Sequence, residues 1–384
     1  MGALASDDTG HMAEALRRMG VAVAQEDGPD GATFTVRGTG RLAPPDGPLF
    51  LGNAGTAMRF LAAAAALVEG TVVLDGDAHM RKRPIGPLTE ALVRLGVDAR
   101  DTDGRPPVTV RGRGGFAADL VTIDAGLSSQ YVSALLMAAA CGTRPVTVAL
   151  AGTEIGARGY VDLTLAAMRA FGAEVTETGD GRWTVAPTGY RARTYQVEPD
   201  ASAATYLWAA ERLTGGRIDL GVAPDAMTQP DAKAHDLIAR FPHLPPVIDG
   251  SQMQDAVPTL AALAAFNAAP VRFVGIANLR VKECDRVRAM ATELARVKPG
   301  LAREEGDDLV VEADPALAGQ TRPAEIETYA DHRIAMSMAL VALKVAGLTI
   351  LDPACTAKTY PHYWRDLDHL GVRLAFESTT AERG

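Results

Sequence analysis

Five times along this chain a short polar cluster runs straight into an Ala- and Leu-rich stretch of helical period: Asn53-Ala54-Gly55-Thr56, Ser128-Ser129-Gln130, Asp200-Ala201-Ser202, Asp255-Ala256 and Asp331-His332-Arg333. Each reads as a capped helix start, where a short side chain bonds backbone N–H groups that lack an intrahelical partner. A helix N-terminus also carries about half a positive charge and favours an anion. A chain built on this device has many helix ends to place, and their convergence would make a site for phosphates or carboxylates.

At 384 residues the chain is long enough for about two domains. Apolar residues make up 47% and charged residues 22%, the balance of a soluble globular protein, while aromatics at 5% require an aliphatic core. The net charge of −9 argues against nucleic acid or an anionic membrane as the main partner. It leaves room for a small anionic substrate held by a local Arg/Lys cluster. Cys141, Cys284 and Cys355 are too few and too scattered for a disulfide framework or a zinc site, so a reducing cytoplasm is expected. The longest apolar run, Phe60 to Val68, is too short to span a bilayer, and no basic-then-apolar leader opens the chain. Instead Ser6-Asp7-Asp8 caps a helix expected from about Thr9 to Met19, an unusual opening for a domain because no strand precedes it.

Strand-like runs alternate with helical segments: Thr33–Val36, Thr71–Leu74 and Pro145–Leu150 read as strands. Helices with basic residues near their ends stop at Gly20, Gly96 and Gly172, each followed by a strand-like stretch, so the unit repeats. In the second half Gln229–Arg240, Val257–Phe266, Arg286–Val297 and Arg333–Val345 read as helices. The boundary is expected near Glu198-Pro199-Asp200, dividing the chain into domains 1–198 and 199–384.

Six segments carry candidate chemistry. The glycines of Gly52-Asn53-Ala54-Gly55 let a ligand approach the backbone at a helix start. Arg81-Lys82-Arg83 sets three cations before a helix, opposing the dipole unless an anion sits there. Ser128-Ser129-Gln130 offers two hydroxyls and an amide. In Lys282-Glu283-Cys284-Asp285-Arg286, Asp285 is expected to orient Arg286, leaving Lys282 and Glu283 free for binding or proton transfer. Tyr329-Ala330-Asp331-His332-Arg333 puts acid, imidazole and guanidinium before a very apolar helix, and Lys358 sits in a hydroxyl-rich loop, Cys355–Pro361. Read singly, each has a bland alternative as a cap, a turn or a solvated charge run.

In this order the segments Leu51–Arg59 (LGNAGTAMR), Arg83–Gly86 (RPIG), Ser128–Gln130 (SSQ), Arg280–Arg286 (RVKECDR), Asp331–Arg333 (DHR, with Tyr329 before it) and Cys355–Pro361 (CTAKTYP) resemble the 3-phosphoshikimate 1-carboxyvinyltransferase (EPSP synthase) family along almost the whole chain. The resemblance implies an α/β (α+β) fold, a two-domain inside-out α/β barrel of repeated βαβαββ units, three per domain, with helix N-termini facing an interdomain cleft. It implies transfer of the enolpyruvyl group of phosphoenolpyruvate to the 5-hydroxyl of shikimate 3-phosphate in aromatic amino acid biosynthesis, by a glyphosate-sensitive monomer that uses no metal or organic cofactor.

By the same resemblance Gly55, Arg83, Gln130, Arg286, Arg333 and Lys358 would hold phosphoenolpyruvate. Ser128, Ser129, Gln130, Tyr160, Asp255, Asn278 and Lys282 would hold shikimate 3-phosphate. Asp255 and Glu283 would move protons near the hydroxyl and the methylene carbon. The chain departs from the family at four places. Family members carry a further N-terminal segment with a Lys-Ser and an Arg, so a truncated or split remnant is the alternative. Ala157 replaces a frequent serine, with Arg158 beside it as a candidate substitute. Phe60 replaces a common proline and could shift the helix bearing Gly55, and Arg240–Pro246 replaces a longer hairpin. A UDP-N-acetylglucosamine enolpyruvyl transferase would share fold and donor, but its loop cysteine has no counterpart in place; Cys284 and Cys355 read as bystanders.

Overall fold

The computed structural model describes residues 1–28, 31–126, 128–152, 158–179 and 181–376. Helix α1 (Asp7–Arg18) is opened by a reciprocal capping box between Ser6 and Thr9. An antiparallel hairpin follows, β1 (Ala22–Gly28) with β2 (Gly31–Arg37), in register from Ala22↔Arg37 to Gly28↔Gly31.

One pattern then occurs three times. The first unit is β3 (Leu49–Phe50), α2 (Gly55–Ala64), β4 (Glu69–Asp75), α3 (Gly86–Arg94), β5 (Asp98–Thr102) and β6 (Arg105–Arg113). The second is β7 (Leu120–Ile123), α4 (Gln130–Ala139), β8 (Val146–Leu150), α5 (Arg158–Ala170), β9 (Val175–Glu177) and β10 (Arg182–Val185). After α6 (Ala201–Thr214) and α7 (Ala234–Ile238) comes the third: β11 (Val247–Asp249), α8 (Val257–Ala264), β12 (Val271–Val274), α9 (Arg286–Val297), β13 (Ala302–Glu305) and β14 (Asp308–Val311). Their sheets share one strand order, β3-β4-β6-β5, β7-β8-β10-β9 and β11-β12-β14-β13. In each, the first pair is parallel and the rest antiparallel. The final stretch holds β15 (Thr321–Ile326), α10 (His332–Ala342), β16 (Ala346–Ile350), paired in parallel with β15, and α11 (Tyr363–His369).

The Ala-rich helices go inside and the sheets outside. Every residue of α8, and all of α10 from His332 to Val341, is buried. A helix apolar on all sides must be enclosed, and small Ala side chains let α2 lie against α4 and α8 against α10. By contrast α3, α5 and α9 bury one stripe only, as amphipathic helices do. The buried apolar side chains form two clusters, one from Ala15 to Val185 and one from Ala201 to Leu367. Helices α1, α3 and α5 stop at Gly20, Gly96 and Gly172 with φ of 87°, 82° and 83°, the left-handed turn expected of those glycines.

Other expectations change. Residues 229–240 hold a short 3₁₀ turn, Pro230–Lys233, that runs directly into the five-residue α7, rather than one long α-helix. Complete βαβαββ units number three among the described residues, since residues 201–246 carry helices without a strand and residues 7–37 and 321–369 carry partial units. Helix α2 runs unbroken past Phe60, which packs half-buried on the first cluster.

Candidate active site

The helix starts meet where the two apolar clusters face each other. Arg286, at the first position of α9 and 2% exposed, lies at the centre. Its Nε donates to Asp331 Oδ2 at 2.7 Å, Nη1 to Asp255 Oδ1 at 3.0 Å and Nη2 to Glu283 Oε2 at 2.6 Å. Asp255 also accepts from Arg333 Nη2 at 3.0 Å, and Lys282 Nζ stands 3.9 Å from it. Glu283 faces Lys358 Nζ at 3.1 Å and, across the cleft, Arg83 Nη1 at 3.4 Å. Lys358 reaches back to Asp8 Oδ2 of α1 at 2.7 Å. Residues from both ends of the chain thus form one buried ion-pair network.

Electrostatics follow from that geometry. Burial opposes ionisation of Asp255, Glu283 and Asp331. The guanidinium of Arg333 for the first, and of Arg286 for the other two, overcomes it and holds all three below the usual carboxylate range. Burial pushes the Asp8 carboxyl up despite Lys358, and lowers the Lys282 ammonium despite Asp255. Burial also pushes the thiols of Cys284 and Cys355 up, the latter to about 12, so neither is a nucleophile.

The glycine loop sits against this network. A Cβ on Gly55 would lie 2.6 Å from Arg59 Nη1 and 2.6 Å from Arg83 Nη2, so only glycine lets both guanidinia approach the start of α2. Arg83 Nη1 is fixed by the carbonyl and side-chain oxygens of Asn53, each at 3.2 Å. Gln130, opening α4, bridges to α2 by donating to Thr56 Oγ1 at 3.0 Å and accepting from Arg59 Nη1 at 3.1 Å. Ser128 Oγ accepts from Gln130 N–H at 3.3 Å, and Ser129 is buried beside it. Tyr160 donates to Asp231 Oδ2 at 2.6 Å. Asn278 lies buried in the 3₁₀ turn before Lys282, its Oδ1 without a partner among the described residues.

A family model described as EPSP synthase (3-phosphoshikimate 1-carboxyvinyltransferase) matches residues 1–240 and 242–367. The chain belongs to the EPSP synthase family. It is 69% identical over 371 residues to a 3-phosphoshikimate 1-carboxyvinyltransferase of Rhizobium etli, covering 97% of this chain and 88% of that one. A protein of the same name from Pseudomonas savastanoi is 65% identical over 373 residues, again covering 97% and 88%. Among solved structures, an EPSP synthase from Acinetobacter baumannii superposes with a TM-score of 0.70 at 23% identity, covering 95% of this chain and 88% of that one, and so shares the fold.

Within this EPSP synthase fold several sequence expectations need correction. Asp285 does not orient Arg286: it caps α9 through Arg288 N–H and pairs with Arg280. Glu283 is not free, because three cations surround it. Of the five polar helix starts, Asp200 and Asp331 cap by side chain and Ser128, rather than the N-cap Ser129, accepts from the first N–H of α4; Asn53 and Asp255 are drawn to guanidinia. Lys358 ends a 3₁₀ turn, Pro353–Lys358, rather than lying in a loop. Ala157 falls outside the described residues. Arg158 pairs with Asp162 at 3.1 Å and Glu177 at 2.6 Å.

Sequence reasoning missed Asp331 as the partner of Arg286, Arg59 as the contact of Gln130, and Asp8 and Asp231. The turn before Asp331 is strained: Tyr329 and Ala330 both take left-handed φ, 57° and 52°, and the Tyr329 hydroxyl pins the turn by donating to buried Glu293 at 2.7 Å.

Two buried groups set opposing pH responses. Burial lowers His332 to about 3, and neither ring nitrogen has a hydrogen-bond partner among the described residues. Burial, helped by Asp255, raises Asp231 to about 6. As pH falls, the unfolded chain protonates His332 before the folded chain does, which destabilises the fold. Asp231 takes its proton first in the folded state, which stabilises it. Over about pH 4–6 the two slopes offset each other. In urea titrations across this window His332→Gln is therefore expected to gain stability relative to the parent by up to about 1.4 kcal/mol per pH unit of acidification, and Asp231→Asn to lose it. Parallel pH profiles for all three proteins would contradict these charge states.

Proposed function

We propose that the chain transfers the enolpyruvyl group of phosphoenolpyruvate to the 5-hydroxyl of shikimate 3-phosphate, releasing phosphate. The observation that carries this reading is the gathering of Arg83, Arg286, Arg333, Lys282 and Lys358 in one cleft between the two clusters. Both substrates are anions that need such an array, and the relatives' shared name supports the same reading.

Arg83, Arg286, Arg333 and Lys358 are the donor-side cations, with Gly55 backbone against the ligand and Gln130 between the two substrates. Ser128, Ser129, Tyr160, Asp255, Asn278 and Lys282 serve the acceptor; the unpartnered Asn278 Oδ1 is suited to a ligand hydroxyl. The acceptor hydroxyl attacks C2 of phosphoenolpyruvate while the C3 methylene takes a proton. The tetrahedral intermediate then expels phosphate, and the new methyl group returns a proton. Asp255 serves the hydroxyl and Glu283 the methylene carbon. The cations stabilise charge developing on the leaving phosphate, where low dielectric strengthens every interaction. Residues 1–198 and 199–384 act as the two domains, a division that the two apolar clusters favour. Among the described residues no helix is long and apolar enough to cross a membrane. A cytoplasmic monomer is the state proposed, and its three free cysteines suit a reducing compartment.

The deciding experiment is phosphate release from phosphoenolpyruvate plus shikimate 3-phosphate, with each substrate alone as control. Release only when both are present supports the reading, and no release removes it. Gly55→Ala tests the donor side: the added methyl must displace the Arg83 guanidinium, so the KM for phosphoenolpyruvate should rise about tenfold while that for shikimate 3-phosphate holds. Equal rises for both substrates would remove Gly55 and Arg83 from the donor side.

A further inference from the structure

The first turn of α5 is seated on the Pro230–Lys233 turn from the other apolar cluster. A Cβ on Gly159 would lie 2.6 Å from Pro230 Cγ, and Arg158 N–H donates to Gln252 Oε1 at 2.9 Å. Inside this contact is Asp231, 1% exposed. Its Oδ2 accepts two hydrogen bonds, from Tyr160 across the cleft at 2.6 Å and from Ser202 of α6. Its Oδ1 is buried without a partner among the described residues. A carboxylate in such a place needs both donors, and none of the ion pairs described above uses it.

The geometry points to Asp231 as a positioning residue that holds the Tyr160 hydroxyl across the cleft, so that the acceptor side of the site is complete only when the two halves are closed on each other. The groups that face it are Tyr160 from α5, Ser202 from α6, Asp255 from the turn before α8 and Arg333 from α10. Asp255 repels its charge and Arg333 attracts it. Since Asp255 and Arg333 are themselves proposed to meet substrate, ligand entry rebalances the charge around Asp231 and thereby the strength of its hold on Tyr160. This inference rests on the proposed acceptor-side role of Tyr160.

Calorimetric binding of shikimate 3-phosphate to the full chain tests it, using Asp231→Ala, Asp231→Asn, Tyr160→Phe and the double variant Asp231→Ala/Tyr160→Phe. Asp231→Ala and Tyr160→Phe should each weaken binding about tenfold, and the double variant no further, because every one of them lacks the Tyr160–Asp231 bond on which the affinity depends. Asp231→Asn keeps a carbonyl acceptor and should stay within about threefold of the parent. Losses that add in the double variant overturn the proposal. So does unchanged affinity in Asp231→Ala beside a loss in Tyr160→Phe, which would leave the acceptor-side role of Tyr160 standing. Unchanged affinity in Tyr160→Phe removes that role and the proposal together, while no binding by the parent removes the transferase reading itself. Should Asp231→Ala not fold, Asp231→Leu, which fills the same space without an acceptor, takes its place in the cycle.

Discussion

Arg286→Ala is expected to lower stability by about 3–5 kcal/mol and to abolish turnover. The guanidinium is the common partner of Asp331, Asp255 and Glu283: Nε and Nη2 both donate to Asp331, Nη1 to Asp255, and Nη2 also to Glu283. Two of these keep other cations after truncation: Asp255 has Arg333, and Glu283 has Arg83 and Lys358. Asp331 does not. It is fully buried, and among the described residues its remaining ion-pair neighbour is His332, 3.7 Å away and held neutral by burial. The variant must either bury an unpaired charge or protonate Asp331 at neutral pH, and both are unfavourable. Arg286→Lys restores one charge but cannot span three acceptors, so it should recover part of the stability and little of the activity. Urea unfolding at pH 7 reads the effect. A loss below about 1 kcal/mol for Arg286→Ala would mean that the network relaxes around the void, and that Arg286 does not organise the site.

Much of the architecture was legible from local signals. The glycine stops at Gly20, Gly96 and Gly172 and the helix Arg286–Val297 depend on neighbours in the chain, and they stand where the sequence places them. What local reading could not tell is where a short carboxylate spends its oxygens. Asp200, Asp255, Asp285 and Asp331 all stand just before helices and look alike in sequence. Asp200 and Asp285 cap their own helices; Asp331 caps and also grips Arg286; Asp255 abandons the cap for two guanidinia. A cap contributes about 1 kcal/mol, whereas a buried guanidinium without a counter-ion is far more unfavourable, so the tertiary partner decides. The same reason hid Asp8, Arg59 and Asp231, whose decisive partners are 350, 71 and 71 residues away. For Asp8 the visible signal was its place in the Ser6-Asp7-Asp8 cap, and for Arg59 its place in the glycine segment. Neither motif names a partner.

Glu283→Gln is expected to lower kcat at least about 100-fold while the KM for phosphoenolpyruvate stays level or falls. Without substrate, Glu283 is ionised and neutralises Arg83, Arg286 and Lys358, the same cations proposed for the donor. An incoming phosphate and carboxylate must therefore compete with it. As they draw the guanidinia and ammonium away, the charge that held the Glu283 carboxyl below its usual range is spent on substrate, and its pKa rises toward the range useful for proton transfer. Glutamine keeps the shape and a carbonyl acceptor but removes both the competing charge and the proton. Binding should not suffer, and chemistry should. The two parameters thus move apart, which loss of packing or of a binding contact would not produce. A variant that keeps its kcat and loses phosphoenolpyruvate affinity would reduce Glu283 to a counter-ion of the donor site.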